Sequence, residues 1–213
     1  MRPRTRTIAL AALALLAGCG GDDSAPAPPA APAAPAATRA PAQPPALDEP
    51  RFWGIVEGAR RTAGGDTARQ SERLAAELEQ MPAEQIAAYA AIRRRLDRRA
   101  YTWDLWGAAY VIEDGCSDDC FRDFRAYLIS LGRGPYEAAL KDPDTLASVV
   151  EDAEGGDWEN ADDVAAEAYE NASGEELAGG NGDLSGRPRG EPWDDEDQDE
   201  LVRRYPALAA RFR

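Results

Sequence analysis

From Glu49 onward, apolar side chains recur at steps of three and four, the period of helices that bury one face. Glu49-Pro50 opens a first helix carrying Phe52, Trp53, Ile55, Val56 and Ala59. Gly64-Gly65-Asp66 ends it and caps a second, with Ala68, Leu74, Ala75 and Leu78. Met81-Pro82-Ala83-Glu84 opens a third, which runs through Ile86, Tyr89, Leu96 and Ala100. The densest stretch is Tyr101 to Gly132, where Trp103, Trp106, Ala109, Tyr110 and Ile112 form a wide apolar face. Gly107 lets another element come close to that helix, and Gly115 ends it. Ser117 caps the next helix, which carries Phe121, Phe124, Leu128 and Ile129 and stops at Gly132. Shorter helices are expected from Asp142-Pro143-Asp144 through Val149, and over Val164, Ala168 and Tyr169 behind a cap at Asn160. Residues 174–192, rich in Gly, read as a surface loop. A last helix is expected to start at Glu191-Pro192-Trp193 and end near Tyr205-Pro206, with Leu208 and Phe212 docking back on the core. No alternating run with a hairpin turn is visible. The predicted fold is therefore all-α: one helical domain of about six to eight helices over residues 49–213.

The front of the chain is patterned differently. Arg2, Arg4 and Arg6 precede a continuous apolar run from Ile8 to Ala17, which is too short to span a bilayer. The run ends in Leu16-Ala17-Gly18-Cys19, which resembles a bacterial lipobox. That resemblance implies a lipoprotein signal peptide over residues 1–18, and a diacylglyceryl group on Cys19 as the first residue after cleavage. Residues 19–48 then form a linker rich in Ala and Pro, expected to be disordered and semi-extended. At about 3.1 Å per residue it reaches roughly 90 Å. The expected location is the cell envelope, lipid-anchored to a membrane on its non-cytoplasmic side. Gly20 in place of aspartate after the cysteine favours the outer membrane where an organism has one.

Composition narrows the chemistry. The 213 residues contain no histidine, which removes His-based triads and imidazole metal sites. Lysine occurs once, at Lys141, flanked by Asp142, and makes a poor candidate for Schiff-base chemistry. The net charge of -15 argues against nucleic acid as a partner. The charge is also uneven. Residues 51–141 hold 14 acidic and 14 basic groups, whereas residues 142–200 hold 21 acidic groups against Arg187 and Arg189. The run Asp194, Asp195, Glu196, Asp197, Asp199 and Glu200 is a candidate acidic interface for a basic protein partner, as in an immunity-like inhibitor. The arginines at positions 93, 94, 95, 98 and 99 read either as a patch for an anionic ligand or, in preference, as a solvated face pairing with the acidic last third.

Cys116 and Cys120 are the remaining thiols. An exported chain favours a disulfide between them, with free thiols and a metal or redox role as alternatives. Asp118, Asp119 and Asp123 do not match the twelve-residue calcium loop, so neither a metal nor a cofactor is expected. Carboxylate pairs could serve hydrolysis, but among 39 acidic residues such pairs arise without purpose.

The segments Phe52-Trp53, Tyr101-x-Trp103-Asp104-Leu105-Trp106-Gly107-Ala108-Ala109-Tyr110, Gly115-Cys116-Ser117-Asp118-Asp119 and Phe121-x-x-Phe124-Arg125 follow one another in order. With Asp142-Pro143-Asp144, Ala168-Tyr169 and Gly190-Glu191-Pro192-Trp193, this resembles the bacterial family numbered 4240 among the domains of unknown function. The resemblance implies a helical domain and brings no reaction. It marks Asp104, Asp118, Asp119, Arg122 and Arg125 as polar residues inside an aromatic motif, and hence as a candidate polar site. The alternative is a helix-cap network in which Arg125 pairs with Asp104. No catalytic residue is assigned. The expected function is that of a membrane-anchored lipoprotein with a non-catalytic helical binding domain, with the inhibitor and a carboxylate-dependent hydrolase as alternatives.

Overall fold

The computed structural model describes residues 47–151, 161–179, 186–194 and 197–213. The signal peptide, Cys19, all of the linker up to residue 46, Asn160, Asp195 and Glu196 lie outside the described residues. Among the described residues there are nine α-helices, one 3-10 segment and no strand. They are α1 (Glu49–Ala63), α2 (Thr67–Leu78), α3 (Ala83–Ala100), α4 (Trp103–Ile112), α5 (Asp118–Ser130), α6 (Arg133–Lys141), the 3-10 segment (Pro143–Ser148), α7 (Ala161–Ser173), α8 (Gln198–Arg204) and α9 (Pro206–Phe212). The fold is all-α.

The helix starts follow from local chemistry. Asp48, Asp66, Thr102, Ser117 and Asp197 each accept a hydrogen bond from a first-turn backbone N–H, satisfying a donor the helix itself leaves open. Asp114 (φ 52°) and Gly115 (φ 121°) are both left-handed, and this pair turns the chain between α4 and α5.

The aromatic and branched side chains of α1, α3 and α5 form the centre. Phe52, Phe121, Leu96, Leu128 and Tyr136 are fully buried, each worth about 1.5–3 kcal/mol in apolar burial. Helix α1 packs on α2 and α5, α3 packs on α5 and α7, and α4 packs on α5, α9 and the 3-10 segment. Two buried side-chain donors find partners inside this core. Gln70 Nε2 donates to the Ser130 carbonyl at 3.0 Å, and the Tyr136 hydroxyl donates to the Leu96 carbonyl at 2.7 Å.

The structure corrects the expected elements in three places. Residues 133–141 form α6, an unexpected helix that contains Gly134 and Pro135. Both residues lie in the first turn, where a missing N–H costs nothing. Helix α8 starts only after the Asp197 cap, so Pro192 and Trp193 belong to the preceding loop. Pro206 does not end the last helix; it opens α9.

Helix α9 has no side-chain cap of its own. Asp144, in the 3-10 segment, supplies one across the fold. Its two oxygens accept from Ala207 N and Leu208 N, both at 2.9 Å. Arg211 adds hydrogen bonds from its guanidinium to the carbonyls of Ala147 and Glu151. Replacing Asp144 with Ala is expected to cost about 1–2 kcal/mol. Amide exchange should quicken in α9 well before it does in α1; protection in α9 equal to that of the unaltered chain would show that the cap is not holding it.

Candidate functional site

A cleft of about 370 Å³ opens where α3 ends, α4 begins and α6 ends. Arg99, Thr102, Asp104, Lys141 and Arg189 supply its polar wall, and Leu105, Ala139, Leu140 and Pro143 its apolar one. Each side chain reaches it for a local reason. Arg99 lies in the last turn of α3, where a cation suits the negative helix end, and its guanidinium stands 5.8 Å from the centre of the buried Tyr136 ring. Lys141 ends α6 in the same way.

Arg189 arrives from the loop before α8. Its backbone is stitched to the α3–α4 junction: Arg189 N donates to the Tyr101 carbonyl at 3.1 Å, and Trp103 N donates to the Arg189 carbonyl at 2.9 Å. Its guanidinium donates to the Arg99 carbonyl. The side chain is therefore fixed at both ends beside the cleft.

The neighbouring electrostatics are shared rather than cancelled. Glu49 hydrogen-bonds Arg95 at 2.7 Å and stands 3.7 Å from Arg99. The Arg95 hydrogen bond holds the Glu49 carboxyl below its ordinary range. Desolvation pushes the Tyr136 hydroxyl well above its usual range, so it remains a neutral donor. Among the described residues, the arginine-rich face of α3 thus pairs at Arg95 and Arg99 with Glu49, at the start of α1. Arg94 lies against the acidic last third, packed on Gly179.

The candidate polar residues of the aromatic motif do not converge. Asp104 borders the cleft and stands 3.7 Å from Arg204. Asp118 and Asp119 lie exposed in the first turn of α5, near its positive end, and Arg122 bridges Asp119 at 3.1 Å and Asp123 at 3.4 Å. Arg125 is buried, and its partner is Asp97 on α3, not Asp104. Nε and Nη2 of Arg125 donate to the two Asp97 oxygens at 3.1 and 3.4 Å. The same guanidinium lies 4.9 Å from the Tyr101 ring centre and 4.7 Å from that of Phe121.

That guanidinium terminates an aromatic column. Trp103 stacks on Trp106 at 5.3 Å, and Trp106 on Phe121 at 5.0 Å. Trp103 and Trp106 are only partly buried, whereas Trp53 belongs to the core. Trp106 Nε1 donates to the Cys116 carbonyl at 2.9 Å. Cys116 and Cys120 are joined by a disulfide, with Cα atoms 5.3 Å apart. Trp193 Nε1 donates to the Trp103 carbonyl at 2.9 Å, and the Tyr205 hydroxyl donates to the Asp104 carbonyl at 2.8 Å. These two bonds fasten the C-terminal arm to α4.

Of the proposed acidic interface, Asp197 caps α8 and faces Arg203 at 3.7 Å, and Glu200 pairs with Arg204 at 2.6 Å. Asp194 and Asp199 are exposed. Among the described residues, no three of His, Cys, Asp or Glu gather where a metal ion could be held.

The sequence offered one signal for the cleft that went unused. Arg187-Pro188-Arg189 carries the sole basic groups of an otherwise acidic stretch, and Pro188 is buried while its neighbours are exposed. Lys141 was set aside because Asp142 follows it. That carboxylate is taken by the Asp144 backbone N–H at 3.2 Å.

A family model described as "Protein of unknown function (DUF4240)" matches residues 47–171 of the chain. No curated protein matches it, and neither does any solved structure.

Proposed function

The chain belongs to the DUF4240 family, and because that family carries no assigned reaction, we propose a function from the chain itself: a lipid-anchored cell-envelope protein whose helical domain binds a ligand without transforming it. The observation that carries the binding half is the cleft between α3, α4 and α6. It is concave, half apolar and lined by several polar side chains, as small-ligand sites are. Among the acids of the aromatic motif, Asp104 alone borders it; Asp118 and Asp119 serve the first turn of α5. A lone carboxylate beside three cations suits recognition better than the paired carboxylates of glycoside hydrolysis.

The anchoring half rests on the order of Arg2, Arg4, Arg6, the apolar run and Cys19. One acyl chain holds a protein to a membrane only marginally, and two or three hold it lastingly. A Cys19→Ser chain is therefore expected to leave the membrane fraction for the soluble one. If it stays with the membrane as the unaltered chain does, lipidation at Cys19 is not the tether.

A further inference from the structure

We propose that the cleft at the α3–α4 junction is a site for a phosphate monoester with a short apolar body. The inference deepens the binding reading above and rests on it. The charges come first. Arg99, Lys141 and Arg189 face Asp104 across the cleft, a surplus of two positive charges in a protein of net charge -15. A phosphate monoester carries about -1.5 to -2 at neutral pH and matches that surplus, whereas a single carboxylate leaves one cation uncompensated. Glu49 draws on Arg99 at 3.7 Å but hydrogen-bonds Arg95, and Asp142 beside Lys141 is engaged by a backbone N–H.

The donors have the right character. Two guanidiniums offer planar forks for phosphate oxygens, and an ammonium adds a compact third charge. Arg189 is already ordered by its hydrogen bonds to the carbonyl of Arg99 and to the backbone of Tyr101 and Trp103, so little freedom is lost when it grips an anion. The start of α4, a helix of 10 residues, borders the same space and adds its positive end. Leu105, Leu140 and Pro143 give the ester's carbon chain an apolar wall. Lys141 is exposed and makes no ion pair among the described residues, so a change there probes the cleft without disturbing the core.

The test is calorimetric titration of the full chain in detergent with hexyl phosphate, alongside hexyl sulfate and inorganic phosphate. Hexyl phosphate should bind with a Kd below about 1 mM. Lys141→Gln should weaken binding about fivefold and Lys141→Glu by at least about tenfold, both with an unchanged melting temperature. Arg69→Gln, at an ion pair with Asp66 outside the cleft, should leave Kd unaltered. Hexyl sulfate, a monoanion, should bind more weakly than hexyl phosphate. No binding at millimolar hexyl phosphate, or equal affinity in both Lys141 variants, overturns the site. Flotation of the Cys19→Ser chain with phosphatidylcholine vesicles, with and without phosphatidate, separates the possible sources. Lysine-dependent flotation on phosphatidate supports a lipid headgroup, and binding of free hexyl phosphate without flotation supports a soluble ester. Release of inorganic phosphate from hexyl phosphate would overturn the non-catalytic reading and leave the site standing.

Discussion

Gly107→Ala lowers the stability of the protein by about 2–4 kcal/mol, although the same change in an ordinary helix interior raises it by up to about 1 kcal/mol. The sign reverses because a Cβ at position 107 would lie 2.6 Å from the Tyr205 hydroxyl, 2.9 Å from Tyr205 Cε2 and 3.0 Å from Trp193 Nε1. Neither neighbour is free to swing aside. Tyr205 is 3% exposed and bound to the Asp104 carbonyl, while Trp193 is bound to the Trp103 carbonyl. The methyl group therefore strains the packing or breaks two hydrogen bonds, and it pries the C-terminal arm from α4. Denaturant titration measures the loss. Tyr205→Phe removes the atom at 2.6 Å, so Gly107→Ala should cost less in that background than in the native one. A Gly107→Ala protein as stable as the parent would show that the arm does not seat on α4 as described.

Arg125→Ala is expected to cost about 3–5 kcal/mol, the range for removing one partner of a buried ion pair. The Arg125 side chain is 4% exposed and that of Asp97 15%, so the stranded carboxylate gains little from water. Arg125 also packs against the rings of Tyr101 and Phe121, and truncation opens a gap at the end of the aromatic column. Lysine should not restore the loss, because it has neither the planar fork nor the flat face. Joint replacement of Arg125 by Met and Asp97 by Leu should recover much of it, since an apolar pair of similar size avoids the desolvation of both charges. Denaturation midpoints of the four proteins test this; an Arg125→Ala midpoint within error of the parent would mean that the pair contributes no stability.

The helices themselves were largely legible, because five of the starts (α1, α2, α4, α5 and α8) carry their own capping residue. Asp66 and Ser117 read as caps and act as caps. The misjudged boundaries all involve proline. Pro206 was taken as an end and lies in the first turn of α9, while Pro192 was taken as a start and lies in a loop. Proline marks a boundary; which side of it is helical depends on the caps and packing around it.

The pairing of side chains was less legible. Arg125 has Asp97 as its partner, 28 residues earlier on a different helix, and no spacing rule selects it over Asp104. The cap that Asp144 gives to α9 spans more than 60 residues and belongs to the same class of relation. The cleft was hidden for a further reason. Its three cations come from three separate segments: Arg99 from an arginine cluster, Lys141 from a position next to Asp142, and Arg189 from an acidic stretch.

The stitching of Arg189 to the backbone of Tyr101 and Trp103 bears on how such a protein can diverge. Arg99 and Lys141 lie within the family-matched residues 47–171, whereas Arg189, Trp193 and Tyr205 lie beyond them. The cleft therefore joins residues inside the matched span to an arm that follows it. A relative that kept the matched span and exchanged the arm would retain two of the three cations, along with the apolar wall. Its taste for ligand charge would then change with the arm, provided the new arm also filled the core positions that Leu201, Tyr205 and Leu208 occupy here.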